Sequence, residues 1–168
     1  NGVWEFTPQA NGYDHALCEY PVGEFCSLPG PGNTRVDDGI VSQDTTNDTI
    51  ALRDAFMDWW ANTEAPRFAV INFTAAHAPF KFPPPSILPP GYPHPFQPTD
   101  REEFEAEIAG VDTALGQLLP LFGPEDWVVF TSANGTPAEA ALPSQDPNKL
   151  KLTCYEGGIR VPLIIRGP

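Results

Sequence analysis

The chain has 168 residues, 41% of them hydrophobic, which is enough apolar material for one domain with its own core. Its 22 acidic residues against 9 basic ones leave a net charge of −13, which argues against electrostatic binding of nucleic acid or of an anionic membrane surface. No apolar run approaches the roughly 20 residues that a bilayer-spanning helix needs, and nothing at the N-terminus resembles a secretory signal.

In chain order, residues 1–35 carry glycine, proline and aromatic residues without sustained periodicity, and are read as an irregular segment packed on the domain formed by residues 36–168. A Cys18–Cys26 disulfide would close a Gly/Pro-rich loop there, leaving Cys154 as the odd thiol, expected in a packed wall. Asp44 to Asn47 offers N-caps for a helix running to about Asn62, with Ile50, Phe56, Met57 and Trp60 on its apolar face. Phe68-Ala69-Val70-Ile71-Asn72-Phe73-Thr74 is too short for a helix and predicts a buried strand that empties into a loop at His77. A histidine just past a strand's carboxyl end sits where open α/β sheets place their ligands.

The following stretch holds Pro83-Pro84-Pro85 and Pro89-Pro90, so it predicts a stiff surface connection bordering a cleft. Thr99-Asp100-Arg101-Glu102 is a capping box. The helix it opens has an apolar face of Phe104, Ile108, Val111, Leu115 and Leu118, and a solvated one carrying Glu103, Glu107 and Asp112. A second strand is predicted over 127–132, a flexible loop over 136–148 and a third strand over 161–165. Helix alternating with apolar strand predicts an α/β fold with a mostly parallel sheet flanked by helices. The three strands are expected to be neighbours, with His77, Asn134 and Lys151 meeting at one edge of their sheet.

Lys151-Leu152-Thr153-Cys154-Tyr155-Glu156-Gly157-Gly158-Ile159-Arg160-Val161-Pro162 resembles the sulfatase segment in which a lysine precedes a Tyr-Glu-Gly-Gly-x-Arg-x-Pro turn. Ala76-His77-Ala78-Pro79 is similar to that family's histidine loop, and Ser132-Ala133-Asn134-Gly135 to its Ser-Asp-Asn-Gly metal turn. The resemblance implies an alkaline-phosphatase-like α/β fold and hydrolysis of sulfate esters with a formylglycine nucleophile and a divalent cation, usually calcium. It implies Asn134 as a metal ligand, and His77 and Lys151 as contacts to the sulfate and to the bridging oxygen of the leaving group.

Three departures qualify it. The family's aspartate before Asn134 is Ala133, which removes one anionic oxygen from a calcium site. The Cys-x-Pro/Ala-x-Arg nucleophile motif is absent, since neither Cys18 nor Cys26 is followed by that pattern, so formylglycine has no position here. The paired aspartates that open the family's sheet are also missing. The chain is therefore expected to be the second half of a sulfatase catalytic domain, completed by an upstream segment or companion chain and inactive alone. The alternative is a catalytically silent, sulfatase-like structural or glycan-binding glycoprotein. The sequons at Asn47, Asn72 and Asn134 lean towards a secreted, extracellular or lysosome-like setting.

Overall fold

The computed structural model describes residues 47–168 with their side chains, and upstream of them the backbone of three strands at 17–20, 33–37 and 40–44. The chain divides into two units, Asn1–Ala75 and Ala76–Pro168.

In the first unit, β1 (Leu17–Tyr20), β2 (Asn33–Asp37) and β3 (Ile40–Asp44) form an antiparallel meander. Leu17 pairs with Asp37 and Tyr20 with Thr34; Asn33 pairs with Asp44 and Asp37 with Ile40. Strand structure thus occurs inside the segment expected to be irregular. The Cys18–Cys26 pairing falls on side chains outside the described residues.

Helix α1 (Asp48–Asn62) starts where the sequence puts it, because Asn47 Oδ1 accepts the Ile50 N–H at 3.3 Å and so satisfies one of the orphan amides of the first turn. Its buried face is Thr49, Ala51, Leu52 and Phe56, not the one built on Ile50 and Met57. Met57 is 37% exposed; the aromatic packing comes from Phe56, whose ring lies 5.7 Å from both Trp59 and Trp60.

The expected buried strand at 68–74 is not formed. These residues have no ladder partner among the described residues, and Phe68 is 74% exposed. β-forming side chains favour an extended backbone, but a strand exists only where another strand takes its N–H and C=O groups. Asn72, expected to be buried, is exposed.

The second unit is built on α2 (Asp100–Leu118), which carries the full capping box: Thr99 Oγ1 accepts from Glu102 N–H and Glu102 Oε2 accepts from Thr99 N–H. The Thr99 N–H bond first, and then the Thr99 hydroxyl, which donates to Glu102 Oε2 at 2.9 Å, hold the Glu102 carboxyl below its usual value. A depressed carboxylate contributes stability that is present above its unfolded pKa and lost as pH falls through the folded one. The gap in melting temperature between the native chain and Glu102→Gln is therefore expected to close on acidification below the ordinary carboxylate range. A gap that widens in acid would contradict the assignment.

The buried stripe of α2 is Ala106, Gly110, Val111, Ala114 and Leu118, rotated from the predicted face, while Ile108 is exposed. Small residues at steps of four leave a shallow groove, and the proline-rich connection lies in it. Ile87 Cγ2 and Pro83 Cγ both sit 3.6 Å from where a Gly110 Cβ would be, and the Phe80 ring meets Phe104 at 5.5 Å. Ile87 is fully buried in a short 3-10 turn, Pro85–Ile87. Glu107, expected to be solvated, is half-buried and its Oε1 accepts the Lys81 N–H at 2.8 Å. The connection thus stays largely on the surface, as expected, while Phe80, Pro83, Ile87 and Leu88 reach into the core.

β4 (Val128–Thr131) and β5 (Leu163–Arg166) do pair, Val128 opposite Arg166 and Thr131 opposite Leu163, but the pairing is antiparallel. Every strand pair among the described residues is antiparallel, so the mostly parallel sheet is not present in them. Parallel neighbours were inferred from apolar strands following a helix, a signal that reports burial and not direction. Leu163, Ile164 and Ile165 are all exposed, as are Trp127 and Val129, so both faces of this ribbon carry uncovered apolar side chains. No described helix is long and apolar enough to cross a membrane.

Candidate functional site

Between β4 and β5 the chain folds back on itself, and two backbone hydrogen bonds fasten the fold. Gly135 N–H donates to Gly158 O at 2.9 Å, and Lys151 N–H donates to Thr136 O at 2.9 Å. The Asn134 turn is thereby held against both the Lys151 segment and the short helix α3 (Glu156–Ile159). The glycines are required by this approach: a Cβ on Gly135 would overlap the Gly157 carbonyl, and one on Gly157 would lie 2.6 Å from Lys149 O. The paired glycines of the Tyr-Glu-Gly-Gly sequence therefore have a steric reason.

Within the turn, Ser132 Oγ donates to Asn134 O at 2.9 Å and Asn134 Nδ2 donates to Gly135 O at 2.8 Å. Asn134 is half-buried and keeps Oδ1 as its remaining acceptor. The two nearby lysines differ. Lys149 Nζ is engaged, 3.7 Å from Asp146 Oδ2 and 5.3 Å from the Tyr155 ring centroid. Lys151 is half-buried and its ammonium makes no ion pair among the described residues. The residue after it, Leu152, has φ 74° with its side chain 96% exposed, a left-handed conformation that a branched side chain adopts only under local constraint.

His77 is exposed, and its Nδ1 lies 2.7 Å from Ala78 O. Because a carbonyl can only accept, that bond fixes the proton on Nδ1 and leaves Nε2 pointing away, able to donate only in the imidazolium form. Of the three residues expected at one edge, backbone hydrogen bonds hold the Asn134 turn and the Lys151 segment together, while His77 bonds to its own neighbour, Ala78. Cys154, expected in a wall, is a free and exposed thiol.

The family model described as Sulfatase matches residues 5–168. The chain belongs to the sulfatase family. Individual curated proteins give no match to it. Sulfatases are associated with calcium through the resemblance set out above, and the described residues do not fit that ion. Calcium takes six to eight oxygens, several of them anionic. Here Asn134 Oδ1 is a neutral donor, Ala133 offers none, and no cluster of three His, Cys, Asp or Glu capable of holding a metal occurs among the described residues.

Sequence reasoning missed the carbonyls of Thr136 and Gly158, which do the fastening. The signal for them was the glycine pair, since adjacent glycines beside a strand mark a close backbone approach.

Proposed function

We propose that this chain supplies the leaving-group side of a sulfate ester hydrolase site, and that the nucleophile and the carboxylates of the site come from an upstream segment or companion chain. The observation that carries this reading is Lys151: a half-buried residue whose ammonium makes no ion pair among the described residues, anchored by its own N–H to the Asn134 turn. A fixed positive charge at that place would neutralise the charge that builds up on the sulfuryl oxygens as the S–O bond breaks. His77, as imidazolium, has at Nε2 a proton to give to the departing alkoxide. The uncovered β4–β5 ribbon supports completion by further strands, and the mostly parallel sheet expected of the alkaline-phosphatase-like class would then be assembled beside it. Secretion or lysosomal delivery, with glycan addition at the exposed Asn72, belongs to the same reading.

Ala133 favours a second reading, a sulfatase-like protein that binds sulfated glycans without cleaving them. Both predict that the 168-residue chain alone turns over no aryl sulfate and binds calcium at Asn134 too weakly for calorimetry in the micromolar range. They separate in the polypeptide that also carries a Cys-x-Pro-x-Arg segment. There, hydrolysis that falls by about 10²–10³ in kcat on Lys151→Ala, with an unchanged melting temperature, supports catalysis. Retained binding of a sulfated glycan without hydrolysis supports the second reading. Turnover by the chain alone would refute the proposal.

A further inference from the structure

Asn134-Gly135 is a pair whose side chain and following amide can react with each other, and its geometry here is divided. The Asn134 carboxamide is folded forward over its own backbone, Nδ2 donating to Gly135 O at 2.8 Å, which keeps Cγ beside the peptide that would attack it. The attacking atom, Gly135 N, is engaged elsewhere: its N–H donates to Gly158 O at 2.9 Å. The glycine cannot be exchanged for a less reactive residue, because any Cβ at position 135 would collide with the Gly157 carbonyl. Packing therefore both imposes the labile pair and restrains it.

We propose that Asn134 is a latent deamidation site held in check by the Gly135–Gly158 hydrogen bond. When that bond opens, the Gly135 amide loses its proton and its nitrogen attacks Asn134 Cγ. The new Cγ–N bond forms as the Cγ–Nδ2 bond breaks and ammonia leaves, giving a five-membered imide. Water then opens the imide to aspartate or isoaspartate, so the net change is one water consumed and one ammonia released. Asparagine is among the residues that limit protein lifetime on heating, and the rate at a protected position follows the fraction of time the local structure is open. The product puts a carboxylate beside Ala133 and Lys151 in a turn that otherwise presents only neutral groups.

The test is peptide mapping by mass spectrometry of the native protein and of the same protein in urea, aged side by side at mildly alkaline pH. Mapping is needed because Asn1-Gly2 and Asn11-Gly12 are also present. Conversion at Asn134 is expected to be at least about tenfold slower in the native protein, which corresponds to an opening free energy of ~1.4 kcal/mol. Amide hydrogen exchange at Gly135 should be slowed by a similar factor. Equal conversion rates in the two samples would overturn the proposal. So would slow conversion alongside an unprotected Gly135 amide, since the restraint would then lie in the side chain and not in the hydrogen bond.

Discussion

Gly135→Ala is expected to be the most damaging single methyl group that can be added to the described part of the chain. The new Cβ would overlap the carbonyl oxygen of Gly157, with that carbonyl's carbon 2.9 Å away and the Gly158 carbonyl carbon 3.1 Å away. Main chain cannot step aside as the end of a flexible side chain can, so either the Asn134 turn or the α3 turn must move, and the Gly135–Gly158 hydrogen bond breaks with it. The loss should be about 3 kcal/mol or more, in the range reserved for backbone collisions and strained positions. Gly116→Ala is the control. Gly116 lies within α2 with nothing inside 4 Å of its Cβ position. It should gain about 0.5–1 kcal/mol from the better helix propensity of alanine. Urea titrations of the two variants measure both effects; a Gly135→Ala chain as stable as the native one would remove the steric account of the site.

Ile87→Ala should cost nearly as much for a different reason. Ile87 has no exposed surface and is the apolar anchor that seats the proline-rich connection in the groove over Gly110. Truncation removes transfer free energy and leaves a cavity that the stiff prolines on either side cannot close, so a loss of about 2–5 kcal/mol is expected. Ile87→Val, which deletes one methyl group, should lose only ~0.5–1.5 kcal/mol. Equal effects of the two substitutions would mean that the connection is not seated by this side chain. The Ala variant should also raise hydrogen exchange at the Lys81 amide, which the same seating holds on Glu107.

What could be read from the sequence was what is decided locally. Asn47 and Thr99 announce the two long helices because a cap needs only the residue and the amides a turn away. The segments that became β4 and β5 were found for a similar reason. Which face a helix buries depends on what reaches it, and Ala106, Gly110 and Ala114 won over Ile108 because a proline-rich chain needs a shallow groove. The apolar run 68–74 forms no ladder with the described strands, and which strand stands beside a run is a property of the rest of the protein that its own residues do not carry. The hairpin of β2 and β3 did carry a signal that was passed over, Asp38-Gly39 between two runs containing β-branched residues. The site divides in the same way. Asn134 and Lys151 were placed together by a motif whose glycines enforce the contact, whereas nothing local to His77 says which element it should meet.

The ribbon of β4 and β5 sets the order in which all this can be assembled. Its innermost pair, Thr131 with Leu163, closes a loop that contains the whole of the Asn134, Lys151 and α3 segment. Closing a long loop costs entropy before any pairing offsets it, so α2 can form early from contacts along its own length while the loop must wait for its two ends to meet. The turn and the lysine would then be gained in a single late step during folding, and lost together whenever the strands part.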